Sequence, residues 1–414
     1  MEEQEPHVLI IGFVWPEPRS SAAGRRMMEL ISLFQQQDWE VTFASAAAKT
    51  PHMENLEERG VATETIAINS SGFDEFIQDL QPDIVLFDRF LTEEQFGWRV
   101  AEQCPQALRI LDTEDLHCLR RARKNAVYKG QQFSKDDLLE MKDAKREIGS
   151  IYRSDLTLMI SEFEMQLLED TFSVGAELLH YLPFMLDPVS RQVKQQWPGF
   201  EHREHFVTIG NFRHDPNADS VEYLYTEIWP RIREQLPQAE LHIYGAYPGQ
   251  RVEQLHSPAQ GFCVKGRAED ARAVVRRSRV CLAPLRFGAG LKGKLVEAMQ
   301  CGTPSVTTPI GAEGIIGDGA WAGDIVTESS KIVEAAVALY TNRDRWEKAQ
   351  DRGVEIINNR FAEPPFGDML INRICNLRMN LKEHRRQNFT GQMLMHHKSA
   401  GTKYMSLWIE EKNS

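Results

Sequence analysis

"RVCLAPLRFGAGLKGKLVEAMQCGTPSVTTP", residues 279–309, packs a complete structural unit into one stretch. An apolar run ends near Leu285, three glycines and two lysines follow, and a helix-like segment covers residues 294–300. Gly302 and Pro304 stop that helix before another short apolar run begins. The pattern is strand, loop, helix, strand. Glycines at 288, 290 and 293 let backbone N–H groups approach a ligand closely, and a helix N-terminus adds about half a positive charge. Lys292 and Lys294 add full charges. Glu297 follows Lys294 on the same helix face, where a carboxylate suits two vicinal ribose hydroxyls. A nucleoside diphosphate uses all of these features; spacing alone also fits a glycine-rich turn with surface lysines. The Walker pattern G-x-x-x-x-G-K-[ST] occurs nowhere in the chain, and the first strand-to-helix turn lacks G-x-G-x-x-G spacing.

The same alternation extends in both directions. "HVLIIGFVW", a helical pattern over residues 24–37 and "WEVTFAS" form a βαβ unit, with further strands at "ATETIAI", "PDIVLFD", "ALRILDT" and "DLTLMIS". Residues 116–152 are polar and helical in composition. A connector with few apolar residues, "VSRQVKQQWPGFEHREH", separates this half from a second series through "HFVTIGNF", "AELHIYG", "GFCVKGR", "RVCLAPL" and "TPSVTTP". The fold class expected is α/β, with two Rossmann-like, doubly wound domains facing each other across a cleft and a helical C-terminal extension. The domains expected are residues 1–190 and 191–360, with a return segment and tail over 361–414. Ligands of open parallel sheets bind at the carboxyl ends of the strands, so the cleft is the expected site.

At 414 residues the chain exceeds one ordinary core. No apolar stretch is long enough to cross a bilayer. The acidic start "MEEQEP" has neither a basic n-region nor a cleavage site, so the expected location is the cytoplasm, with peripheral contact at the inner face of the membrane left open. Six scattered cysteines without a C-x-x-C pair suggest reduced thiols and no structural metal. The net charge of −12 argues against nucleic-acid binding over the whole surface. Two segments depart from it: residues 117–130 hold five Lys/Arg and no acid, and residues 373–403 hold seven against Glu383 alone. Together they suggest one positive patch for an anionic acceptor such as a lipid-linked phosphate, an acidic glycan or RNA; solvated helix faces are the plainer reading.

"GAGLKGKLVEAMQCGTPSVTTPIGAEGI" resembles the donor-binding segment of GT-B glycosyltransferases, specifically the retaining nucleotide-sugar enzymes of glycosyltransferase family 4. "VTIGNFRHDPNADSVEYLYTEIWPRIREQLPQAELHIYG", "VKGRAED" and "SDLTLMISEFEMQLLED" are similar to other parts of that family, in the same order. The resemblance implies a nucleoside-diphosphate sugar as donor substrate, transfer with retained anomeric configuration, hexosyl transfer in particular, and no cofactor or metal. It implies donor contacts at Gly24, Arg25, Gly210, Arg267, Gly288, Ala289, Gly290, Leu291, Lys292, Glu297 and Glu313. Many members carry E-x7-E; here Glu297 fits the second glutamate and Ala289 stands at the first, leaving the amides of residues 288–290 to orient the sugar. Arg213 and Lys294 are the catalytic candidates for neutralising the departing diphosphate. Asp115 and His117, in a polar cluster with Asp112 and Glu114 after a strand, are the candidates on the facing wall, where a helix cap with an exposed histidine is the alternative. His214, His396 and His397 receive no role. Two other functions share these residues: a nucleotide-sugar epimerase, and a binding protein without chemistry.

Overall fold

Continuous apolar runs such as Val8, Leu9, Ile10 and Ile11, all fully buried, are what a parallel strand covered on both faces requires. The computed structural model, which describes residues 5–317, 319–362 and 364–413, builds two such sheets. The first contains β1 (His7–Gly12), β2 (Glu40–Ser45), β3 (Ala62–Thr65), β4 (Ile84–Asp88), β5 (Leu108–Asp112), β6 (Leu156–Met159) and β7 (Leu179–Tyr181), in the order β3-β2-β1-β4-β5-β6-β7. The second contains β8 (Glu204–Ile209), β9 (Leu241–Tyr244), β10 (Phe262–Gly266), β11 (Ser278–Ala283), β12 (Ser305–Thr307) and β13 (Gly323–Ile325), in the order β10-β9-β8-β11-β12-β13. All pairings within both sheets are parallel. Strand order reverses between β1 and β4, and again between β8 and β11, which opens a crevice at each carboxyl edge.

Alternate residues of each strand supply opposite cores. Ile11, Val85 and Phe87 pack with Phe96 and Leu119 on one face of the first sheet. Val8, Ile10 and Leu86 pack on the other face with Met27, Leu30 and Phe34 of the Ala22–Gln35 helix. That second core is completed from far along the chain: Phe366, Leu370, Ile374, Leu377 and Leu381 of the Phe366–Met379 and Leu381–Gln387 helices are buried in it. The edge strands β7 and β13, three residues each, lie outside the strands read from sequence.

The two basic segments do not meet. Arg378 pairs with Asp83 at 2.8 Å, and Arg385 pairs with Asp155 and donates to the Ala107 carbonyl, each at 2.7 Å. Those partners immediately precede β4, β6 and β5, at the sheet edge away from the cleft. Arg120, Arg123 and Lys124, on the His117–Tyr128 helix after β5, lie at the opposite, carboxyl edge and pair with Asp115, Glu313 and Asp215. The single positive patch expected from the sequence is therefore absent: its halves occupy opposite ends of one domain, and acids from elsewhere neutralise most of their charge. All six cysteines are free, with Cys375 the exposed one. Among the described residues, no helix is long and apolar enough to cross a membrane.

Candidate active site

β11 ends at Ala283, and the Gly293–Gln300 helix starts where the glycine loop turns back into the second domain. The first domain grips this loop by its backbone. Arg123 donates to the Gly288 carbonyl at 2.9 Å and holds Glu313 with both arms of its guanidinium at 2.8 Å. Glu164, fully buried, accepts the Gly290 amide at 2.8 Å and the Leu116 amide at 3.1 Å. Burial, then the Asp115 charge, raises the Glu164 carboxyl far above its usual range. Lys292 donates to the Gly290 carbonyl at 2.6 Å, and burial lowers its proton affinity although Glu313 and Glu164 stand nearby. Ala289 joins the core of the first domain, and Leu291 packs with Ile160 and Phe184.

Several expected donor contacts are thus domain contacts in this structure. The Gly290 amide, Lys292 and Glu313 are engaged by one another or by the first domain, and Gly293 abuts Ala22. Gly24 is needed for packing, since a Cβ there would lie 2.5 Å from the Glu17 backbone. Gly290 has φ of +61°, and a Cβ would lie 2.8 Å from the Asp115 Cβ. Gly290→Ala should therefore cost about 1–3 kcal/mol. Urea titration should show the lower midpoint, and an unchanged midpoint would contradict the tight fit.

Lys294 differs from its neighbour. Its ammonium donates to Asn217 Oδ1 at 2.7 Å and has no carboxylate partner among the described residues; burial lowers it to about 8. Gly210 makes room for this pair, because a Cβ there would lie 2.6 Å from Asn217 Nδ2 and 3.1 Å from Lys294 Nζ. Arg213 is exposed and has no carboxylate partner either; its guanidinium carbon lies 3.6 Å from the Tyr247 ring centre. Tyr247 reaches across the cleft to Glu17 at 2.7 Å, and Arg25 crosses to Glu297 at 3.2 Å. Arg25 and Glu297 are thus brought together, and Arg267 stands exposed at the end of β10.

The facing wall gathers the acids expected after β5. Asp112 is fully buried in a two-pronged pair with Arg26 at 3.0–3.2 Å, so it holds structure together. Glu114 adopts φ of +60°; burial, then Asp112 and Asp88, raises its carboxyl well above the usual range, and its Oε1 has no hydrogen-bond partner. Burial works to raise Asp115 as well, but the Arg120 guanidinium and then His117 hold it well below the carboxylate range. His117 Nε2 lies 3.5 Å from Asp115 Oδ1, and burial lowers the ring to about 3, which keeps it neutral. His214, unassigned from sequence, is solvent-exposed on its own domain, yet the protein crowding it lowers it to about 4, and it feels Arg120 and Asp115 from one domain and Lys294 from the other. Asn217, Arg123 and Glu164 were also missed. Asn217 lies six residues beyond "GN" in a polar helix start, a faint signal; the other two carried none.

Residues 203–342 match the family model described as Glycosyl transferases group 1. Those residues are similar to a group 1 glycosyltransferase domain, and the chain has the GT-B fold. Among solved structures, sucrose-phosphate synthase from Thermosynechococcus elongatus is similar at 15% identity and a TM-score of 0.65, covering 90% of this chain and 99% of that one. Anabaena HepE in complex with UDP and glucose is similar at 13% identity and a TM-score of 0.66, covering 90% and 100%. WaaG, a glycosyltransferase involved in lipopolysaccharide biosynthesis, is similar at 12% identity and a TM-score of 0.59, covering 85% and 95%. No curated protein sequence matches the chain. In the GT-B frame the loop after β11 and the acids after β5 face each other across the interdomain cleft.

Proposed function

We propose that this GT-B protein is a retaining, metal-independent glycosyltransferase of the family 4 kind, moving a hexosyl group from a nucleoside-diphosphate sugar to an acceptor hydroxyl. The observation that carries the reading is Lys294: a desolvated ammonium at a helix N-terminus, bonded to an amide and to no carboxylate. An uncompensated cation in such a place costs stability unless an anion joins it. A diphosphate supplies that anion, and Arg213 adds charge at the rim. Both would stabilise the leaving diphosphate as the glycosidic bond breaks, with the acceptor hydroxyl arriving on the same face. His117, neutral at every working pH, serves as a hydrogen-bond partner. The acids Asp88, Glu114 and Asp115 on the first-domain wall suit the hydroxyls of a neutral acceptor, since a carboxylate accepts from O–H donors and a protonated carboxyl both donates and accepts. HepE was solved with UDP-glucose, which makes UDP the first nucleotide to try.

The test is calorimetric titration with UDP, GDP and ADP; binding by none of them would end the proposal. The proton on Lys294 gives a second test. Because burial brings the group to about 8, the ammonium is intact below that pH and lost as pH rises through it. Nucleotide affinity should hold steady from pH 6.5 to 7.5 and weaken above pH 8. Lys294→Arg, which keeps its charge, should flatten much of that fall. An identical profile for the arginine variant would assign the titration elsewhere.

A further inference from the structure

β8 and β9 are parallel neighbours with Phe206 opposite Leu241 and Val207 opposite His242. Because side chains alternate, His205, Glu240 and His242 all fall on one face, at the ends of these strands farthest from the cleft. The side chains converge there. His242 Nε2 lies 2.8 Å from Glu240 Oε2, His205 Nδ1 lies 3.9 Å from the same oxygen, and the imidazole ring centres lie 4.1 Å apart with the planes tilted by 31°. One ligand atom from each residue lies within 4.8 Å of the other two. Ligands around a tetrahedral ion with bonds of about 2.0–2.2 Å are spaced about 3.4 Å apart, so small side-chain shifts close the set. His205 takes φ of +59°, a conformation that a β-strand histidine avoids unless its surroundings hold it there.

We propose that His205, Glu240 and His242 form a binding site for a borderline divalent transition-metal ion such as Zn2+, separate from the sugar-transfer site. Two imidazoles and a carboxylate are the donor set that such ions take, leaving one position for water. Lys265 lies close enough to oppose a cation, and Glu240 offsets it. The residues stand on the amino-terminal edge of the second sheet, while transfer takes place at its carboxyl edge. The ion would therefore tie the start of β8 to the start of β9 and take no part in the chemistry. This assignment is independent of the glycosyltransferase reading.

The experiment uses the full chain, stripped with chelator and titrated with zinc chloride, with bound metal counted by elemental analysis and stability followed by melting. Wild type should hold one equivalent that His205→Ala/His242→Ala loses, and Glu240→Gln, the isosteric control, should bind at least tenfold more weakly. His396→Ala/His397→Ala should keep that equivalent. Zinc at a hundredfold excess over Kd should raise the Tm of wild type by about 5 °C and leave the double variant unmoved. No retained zinc in wild type, or zinc at the wild-type level in either His205→Ala/His242→Ala or Glu240→Gln, would overturn the site.

Discussion

Lys294→Ala is expected to abolish measurable nucleotide binding at concentrations that saturate wild type, and to lower transfer kcat/KM by about 10²–10³-fold. One charge-assisted hydrogen bond contributes about 1.5–3 kcal/mol, and the loss grows as charge develops on the leaving diphosphate. The apo protein should lose no stability, because the variant also removes a desolvated ammonium whose one partner is the Asn217 amide. Calorimetry with UDP, a transfer assay and melting measure the three effects. Lys292→Ala gives the contrast: its ammonium is bonded to the Gly290 carbonyl within the domain contact, so its loss should register in stability before binding. A Lys294→Ala variant that binds nucleotide as wild type does would remove the central support for the proposed function.

The second large effect falls on stability. Asp112→Ala strands the Arg26 guanidinium, 1% exposed, with only the carbonyls of Leu182 and Pro183 as partners. Removing one member of a buried pair costs about 3–5 kcal/mol, whereas replacing both by apolar residues of similar volume costs far less. Asp112→Ala should shift the urea midpoint strongly downward, and Arg26→Met/Asp112→Leu should recover most of the loss. Equal midpoints for wild type and Asp112→Ala would mean that the pair adds little.

Local periodicity was enough to read β1, β2, β4 and the Gly293–Gln300 helix, because each carries its own apolar pattern and stop signal. β7 and β13 escaped because three residues show no period and no stop signal frames them, whereas β12, equally short, directly follows the helix stop at Gly302 and Pro304. The loop glycines and Lys294 were legible for a similar reason: the geometry that they require is set within a few residues. The partners of that loop were not. Arg123 and Glu164 meet Gly288, Gly290 and Glu313 only after two sheets fold and face each other, at separations of 126 to 190 residues. The basic run on the His117–Tyr128 helix misled for the same reason. Its neutralising acids Asp215 and Glu313 come from the other domain, so counting charges along the chain gave a patch that three dimensions cancel.

The helices that close the first domain's second core begin at Phe366, after the whole second domain. During synthesis the ribosome therefore emits the first sheet with Val8, Leu30 and Leu86 still lacking their last cover. The nascent chain must hold that apolar surface open to solvent, or to a chaperone, until residues 366–381 have emerged. Assembly of the first domain thus waits on residues made after the second, and a stall between Phe361 and Phe366 would release a finished second domain joined to a first domain that cannot seal.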